Sequence, residues 1–302
     1  MDEKKTRGVF AATLTPMKTD LSIDHEALAR HCRWLLKNGC DGIVLFGTTG
    51  EANSLTVAER KEIIDMLLEG NPFAERLIVG TGCCAVGDTV DLTRHAQRYP
   101  VAGVLTLPPF YYKNVSDDGL FAAFDAVVQG VGAADLRIYL YHFPKMSGVP
   151  FSLNLIERFL KSYGNTFAGV KDSSGDFENM KAMIKAFPGF RVFAGTEAYL
   201  LDILRIGGAG CISATTNATG SLASKIFSRW ESDDMIEAQA RLTSIRKAFE
   251  AFPFIPGLKT MMARWTENDA WLNMRPPFLP LTREGSADLQ ERLNALHFRP
   301  NL

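Results

Sequence analysis

A lysine in an unusual place gives the first chemical clue. The segment "FAGVKDSSG" (167–175) is an apolar run that contains Lys171 and then ends in small polar residues. Lysine is seldom buried, because its ammonium group loses solvation outside water. Burial favours the neutral amine, which can attack a ketone to form a Schiff base whose iminium nitrogen accepts electrons. The alternative is a buried ion pair with Asp172 or another carboxylate.

A second group of polar residues is suited to binding an acid. The segment "GTTGE" (47–51) places the hydroxyls of Thr48 and Thr49 between two glycines. Glycine lets the backbone approach a ligand closely, and neighbouring N–H and O–H groups can hold a carboxylate. An ordinary tight turn would have the same composition. Tyr141 and the pair at 111–112 could transfer protons, or they could be packing residues.

The elements that must position these side chains alternate along the chain. Eight short apolar runs with the composition of buried parallel strands are separated by amphipathic helical patterns. Eight strand–helix units in about 230 residues predict a (β/α)8 barrel (a TIM barrel). No GxGxxG follows any strand, which disfavours a doubly wound open sheet. The predicted strands are 8–16, 42–47, 76–82, 103–109, 137–144, 167–173, 191–197 and 210–216.

The barrel is predicted to span residues 1–234, and residues 235–302 to form a C-terminal helical extension packed on it. In such barrels the chemistry lies at the C-terminal ends of the strands. Lys171, Tyr141 and the two threonines all fall at such ends. We therefore expect them to share one site.

Composition excludes several classes of protein. The chain is 46% hydrophobic and 22% charged, with 33 Lys and Arg against 34 Asp and Glu. This balance gives no basic patch for nucleic acid or an anionic membrane. The N-terminus lacks an apolar signal, and no apolar run approaches the roughly 18 residues that span a bilayer. Five cysteines without a CxxC pair indicate reduced thiols rather than a metal site, in a cytoplasmic protein.

The ordered motifs together resemble a known family. "TP" (15–16), "GTTGE", "PPFYY" (108–112), "YHFPKMSG" (141–148) and "GVKDSSG" (169–175) are similar to motifs of the dihydrodipicolinate synthase/N-acetylneuraminate lyase family. The likeness implies a (β/α)8 class I aldolase, usually a homotetramer, that binds pyruvate or another 2-oxo acid as a Schiff base. It implies no cofactor.

The resemblance also implies roles for individual residues. Lys171 would form the Schiff base, and Tyr141 would be the general acid/base above the C3–C4 bond. Thr48 and Thr49 would bind the 2-oxo acid carboxylate, with Thr49 also linked to the proton relay.

Two further positions follow from the resemblance. Tyr112 would complete the relay from a neighbouring subunit, with Tyr111 as the alternative because this loop is about one residue longer than usual. Ile212 would offer its backbone carbonyl near the bound pyruvate.

One departure argues against the synthase activity. The synthases place an arginine, which holds the carboxylate of the second substrate, where this chain has Met146. Methionine cannot form such a pair. Lys145 is adjacent, and we expect it to point elsewhere.

Other residues favour a hydroxylated substrate. Glu197 in "AGTE" (194–197) falls where the lyases have an acidic residue that contacts sugar hydroxyls; capping the next helix is the alternative. Ser173 and Gly195 are expected to line the same pocket. His142 is either a polar contact or a packed core residue.

The sequence thus predicts an aldolase that joins or separates pyruvate and an aldehyde through a 2-oxo-3-deoxy sugar acid or a similar 2-oxo acid. A dehydratase of such acids is the nearest alternative, and the synthase follows. A barrel that binds a 2-oxo acid without turnover is disfavoured, because the lysine, tyrosine and both threonines are present.

Overall fold

A closed barrel of eight parallel strands forms the centre of the molecule. The structure is a computed structural model that describes residues 6–69 and 73–300. The strands pair in chain order, and β8 pairs with β1 to close the ring. This confirms the (β/α)8 barrel and excludes the open sheet. The strands are β1 (Gly8–Ala12), β2 (Gly42–Leu45), β3 (Leu77–Gly80), β4 (Gly103–Thr106), β5 (Ile138–His142), β6 (Phe167–Asp172), β7 (Arg191–Ala194) and β8 (Gly210–Ser213).

Helices surround the barrel and continue beyond it. Within the described residues, none has the length and apolar character needed to cross a bilayer. The helices are α1 (His25–Lys37), α2 (Val57–Leu68), α3 (Val86–Ala96), α4 (Asp117–Val131), α5 (Pro144–Ser147), α6 (Leu153–Tyr163), α7 (Phe177–Ala186), α8 (Leu200–Arg205), α9 (Thr216–Ser228), α10 (Met235–Glu250), α11 (Phe254–Thr266) and α12 (Arg283–Ala295).

Helix starts follow the capping residues in the sequence. The Thr56-x-x-Glu59 pattern predicts a capping box, and the two residues form one at the start of α2, where each side chain binds the other residue's backbone N–H. Ser152 accepts a hydrogen bond from the N–H of Leu155 at the start of α6. Gly70 predicts the end of α2 in the sequence, and this position lies outside the described residues.

The predicted strands ran too far toward their C-terminal ends. The run 8–16 forms a strand only as far as Ala12, and 42–47 only as far as Leu45. The sequence pattern predicts a helix over residues 221–234, whereas helix α9 begins at Thr216. Its first turn is fixed by buried Asn217, which donates to the carbonyl of Ala12 and accepts from the N–H of Leu14. Polar residues at these ends therefore leave the sheet to build the rim of the barrel.

Within residues 6–69 and 73–300, three apolar clusters hold the fold together. The largest lies between the barrel and its helices, and a second fills the barrel interior around Phe10, Tyr139 and Phe193. The third joins α10, α11 and α12 to Leu14 and Ala218 of the barrel. Helix α10 begins at residue 235, where the predicted extension (235–302) begins; residues 301–302 lie outside the described part. The last helices thus reach the barrel rim, where the polar side chains lie.

Candidate active site

Lys171 and Tyr141 meet at the C-terminal end of the barrel. They are direct partners in the β5–β6 pairing, so both side chains point into the barrel. The Lys171 Nζ lies 3.3 Å from the Tyr141 hydroxyl and 4.4 Å from the centre of its ring. The exposed fractions of the two residues are 4% and 3%. The structure therefore brings together the amine and the phenol that the sequence singled out.

The alternative of a buried ion pair fails. Asp172 points to the opposite side of β6, where it accepts hydrogen bonds from Ser174 and from the Asn179 side chain. Within residues 6–69 and 73–300, no carboxylate oxygen lies within 4.0 Å of the Lys171 Nζ. Lys171 is thus a buried amine whose hydrogen-bond partner is a phenol.

His142 is a packed core residue. Its Nδ1 accepts a hydrogen bond of 3.1 Å from the N–H of Phe151. Burial lowers the pKa of His142, against the opposing effect of Asp172. The ring lies outside the cleft lining, so the packing alternative holds.

The threonine loop lies beside the tyrosine. Two successive 3-10 turns, Thr48–Gly50 and Ala52–Ser54, follow β2. The Thr48 Oγ1 lies 3.2 Å from the Tyr141 hydroxyl, which completes a hydrogen-bonded chain from Thr48 through Tyr141 to Lys171. The resemblance implies this link for Thr49. Thr49 instead lines the cleft beside it.

A cleft of about 880 Å³ opens above these residues. Ser173 and Gly195 line its wall, as expected. A Cβ at Gly195 would lie 2.1 Å from the Ser173 hydroxyl, so only glycine fits there. Met146 lies at the rim with 62% of its surface exposed. Lys145 also lines the cleft, contrary to the expectation that it points elsewhere.

Glu197 does not line the cleft, so the expected direct contact with substrate hydroxyls is wrong. It is fully buried and accepts hydrogen bonds from the hydroxyls of Ser213 and Thr215. Its third partner is Arg246 of α10, at 3.0 Å. The capping alternative also fails, because Thr196 caps this turn. Glu197 therefore supports Arg246, which does line the cleft.

Ile212 and the paired tyrosines lie away from the cleft in this chain. The Ile212 side chain is buried in the barrel interior. Tyr111 and Tyr112 are 75% and 73% exposed and pack edge to face against each other. The backbone role of Ile212 and the relay role of a tyrosine in a neighbouring subunit remain predictions.

The sequence reasoning missed the cations that the C-terminal helices supply. Lys259 of α11 forms a fully buried ion pair with Glu51, the last residue of "GTTGE". It also donates to the carbonyl of Asn273 at 2.8 Å. Burial lowers the pKa of Lys259, and the Glu51 carboxylate opposes this shift. The lysine within the apolar helix "FIPGLKTMMARWT" could have indicated this buried pair, just as a lysine within an apolar run singled out Lys171.

Arg275 also fixes the threonine loop. Its guanidinium binds both carboxylate oxygens of Glu59 and donates to the carbonyl of Ser54 at 2.7 Å. The hydrogen bond from Arg275 is the main reason that the pKa of Glu59 falls to about 2. The C-terminal residues thus hold the threonine loop against the barrel.

Other groups with possible reactivity are dispersed. All five cysteines are free thiols, and Cys84 is the exposed one. In the part of the chain that the structure describes, no three His, Cys, Asp or Glu side chains cluster closely enough to hold a metal ion.

Comparison with known proteins assigns the family. The model of the dihydrodipicolinate synthetase family matches residues 5–296, and the chain belongs to this family of lyases. A DapA-like lyase of Chloroflexus aurantiacus is 37% identical, over 94% of this chain and 95% of that protein.

Solved structures agree. Dihydrodipicolinate synthase of Agrobacterium tumefaciens is 32% identical, with a TM-score of 0.89 over 96% of this chain and 99% of the other. YagE, a family member of E. coli K12 solved in complex with pyruvate, is 26% identical, with a TM-score of 0.85 over 96% and 98%. The resemblance found in the sequence is confirmed.

Proposed function

We propose that this lyase is a class I pyruvate aldolase that cleaves or forms a 2-oxo-3-deoxy sugar acid or a similar 2-oxo acid. The observation that carries the proposal is the buried Lys171 amine, which is hydrogen-bonded to Tyr141 and has no carboxylate partner among the described residues. Family membership and the pyruvate complex of YagE support the same substrate class.

The geometry fits a sequence of balanced steps. The Lys171 amine attacks the C2 ketone, and loss of water gives an iminium. Tyr141 then accepts the C4 hydroxyl proton as the C3–C4 bond breaks and the aldehyde leaves. The iminium holds the electron pair of that bond as an enamine. The relay returns the proton to C3, and hydrolysis releases pyruvate and the free amine.

The threonine loop is suited to the acid end of the substrate. Thr49 and Thr48 line the cleft next to Tyr141, where they would hold the carboxylate of the 2-oxo acid. No cofactor enters this scheme. Tyr112 or Tyr111 would join the relay from a neighbouring subunit of a homotetramer in the cytoplasm. Dilution to a stable monomer should then abolish turnover, and an active monomer would contradict the shared relay.

Sodium borohydride reduction in the presence of pyruvate tests the proposal. The wild type should gain the mass of one reduced pyruvate adduct on the peptide that contains Lys171. The Lys171→Met variant should gain none, while Lys185→Met, which removes an exposed lysine of α7, should behave as wild type. A folded wild type without an adduct would contradict the lysine mechanism.

Turnover separates the aldolase from its alternatives. With a panel of 2-oxo-3-deoxy acids, the aldolase releases pyruvate, whereas a dehydratase with the same lysine releases water and keeps the carbon chain. A protein that forms the adduct without turnover on any member would be a binder. Met146 disfavours the synthase, because it stands at the position where the synthases hold the second substrate's carboxylate with an arginine.

A further inference from the structure

We propose that Arg246 determines specificity by binding an anionic group at the end of the substrate that is distant from the 2-oxo carbon. This inference rests on the proposed function, because it assumes a 2-oxo acid bound at Lys171. Arg246 belongs to α10, outside the barrel, yet it lines the cleft that holds Lys171 and Tyr141. It would therefore meet the substrate beyond the carbons that react.

Buried acceptors fix the orientation of the guanidinium. The Arg246 Nη1 donates to Glu197 at 3.0 Å, to the Ser213 hydroxyl at 3.0 Å and to the Thr215 hydroxyl at 3.3 Å. These three acceptors are fully buried. The Nε donates to Glu250 at 2.8 Å. A guanidinium held on two sides loses little further freedom when it binds a ligand.

The third nitrogen of the guanidinium is free to bind a ligand. The Arg246 Nη2 makes no hydrogen bond within the described residues. The atom is not fully buried. Its two N–H groups therefore keep access to the cleft. Charge-assisted N–H groups of this kind suit carboxylate and phosphate oxygens.

The helix that carries Arg246 is itself anchored to the rim. The Gln239 side chain donates to the carbonyls of Glu197 and Ala198 at 3.0 and 3.1 Å. It also accepts from the N–H of Leu201 at 3.0 Å. Helix α10 is thus fixed to the turn after β7, so the guanidinium has a defined place relative to the strand ends.

The other charges of the cleft favour an anion. Lys145 and Lys247 line it without an acidic partner in the described chain. Of the carboxylates that line the cleft, Glu250 binds Arg246, and Asp202 has no basic partner within the described residues. Two free ammonium groups and the Nη2 edge therefore outweigh one free carboxylate. Where Met146 leaves the β5 side of the rim without an arginine, Arg246 supplies one from α10.

The test is acceptor selectivity in the condensation with pyruvate. Glyceraldehyde 3-phosphate is compared with glyceraldehyde, and succinic semialdehyde with butanal, so that phosphate and carboxylate are examined separately. In the wild type, kcat/KM should favour at least one anionic acceptor over its neutral counterpart. In Arg246→Gln this preference should fall about 10- to 100-fold, as expected for the loss of a charged hydrogen bond. Arg241→Gln, on the same helix but bonded to the carbonyl of His297, is the matched control and should keep the preference.

Trapping of the pyruvate adduct separates this inference from the proposed function. No adduct in the wild type would defeat the proposed function itself. An adduct together with equal selectivity in wild type and Arg246→Gln would overturn the role of Arg246 alone.

A folding defect is controlled by a second variant. Should Arg246→Gln form no adduct, Glu197→Gln/Arg246→Gln removes both charges of the buried pair and takes its place in the selectivity assay. Loss of the adduct in both variants would overturn the assignment, because Arg246 would then be needed for the lysine centre itself.

Discussion

Two glutamates on the barrel rim invite comparison, because each is fully buried and each binds a cation from the C-terminal helices. Glu51 follows β2 and pairs with Lys259 of α11, and both members of that pair are inaccessible to water. Glu197 follows β7 and pairs with Arg246 of α10, whose side chain is 14% exposed and lines the cleft.

The two cations differ in whether they have access to the cleft. The Lys259 ammonium also binds the carbonyl of Asn273 and has no access to the cleft, so the pair can only hold the threonine loop. Arg246 satisfies Glu197 with one nitrogen and keeps another for a ligand. A buried glutamate thus positions a loop in the first pair, and in the second it orients an arginine that lines the cleft.

Breaking the ion pair between Glu51 and Lys259 should have the largest effect on stability. Lys259→Met would leave Glu51 buried without a counter-charge, which should lower the free energy of unfolding by about 3–5 kcal/mol. The matched Glu51→Gln/Lys259→Met variant should recover most of this loss. Urea unfolding of both variants measures the difference. Equal losses in the two would show that the charge itself matters little.

Breaking the ion pair between Glu197 and Arg246 should destabilise the protein less. After Arg246→Met, the Glu197 carboxylate still accepts from the hydroxyls of Ser213 and Thr215. We expect a loss of about 1–3 kcal/mol in the same urea titration. A loss as large as that of Lys259→Met would remove the distinction between the two pairs.

We expect the smallest effect on stability from a third ion pair, which joins Arg275 to Glu59. The pKa of Glu59 is lowered from 4.5 to about 2, chiefly by the hydrogen bond from Arg275. A lowered carboxyl pKa in the folded state gives stability that is complete above about pH 5 and is lost as the pH falls toward 2. Because the pair keeps contact with water, we expect about 1 kcal/mol.

The pH dependence of the wild type against Glu59→Gln isolates that contribution. The stability difference between the two proteins should shrink between pH 5 and pH 2.5. A difference that stays constant over this range would assign the effect to packing instead of charge.

The sequence predicted the fold because strand and helix patterns are local. It also located Lys171 and Tyr141, since each falls at the end of an apolar run and pairing of neighbouring strands brings such ends together. Strand ends were extended too far, because the hydroxyl-rich residues that follow them are as compatible with a strand as with the turns they form.

Long-range charges could not be predicted in the same way. Lys259 and Glu51 are 208 residues apart, and Arg246 and Glu197 are 49 apart. No local pattern specifies such partners. The resemblance implies a substrate contact for Glu197, because the lyases have an acidic residue there, whereas its buried hydroxyl partners and Arg246 are evident only in three dimensions.

The exchange of pyruvate methyl protons with D2O tests the central claim most directly. An enamine on Lys171 must take up a solvent-derived proton at C3, so 1H NMR should show the methyl signal decaying in the presence of the wild type. Lys171→Met should reduce the rate to the uncatalysed background, and Lys185→Met should not. A wild type without exchange, or Lys171→Met with exchange at the wild-type rate, would contradict the account.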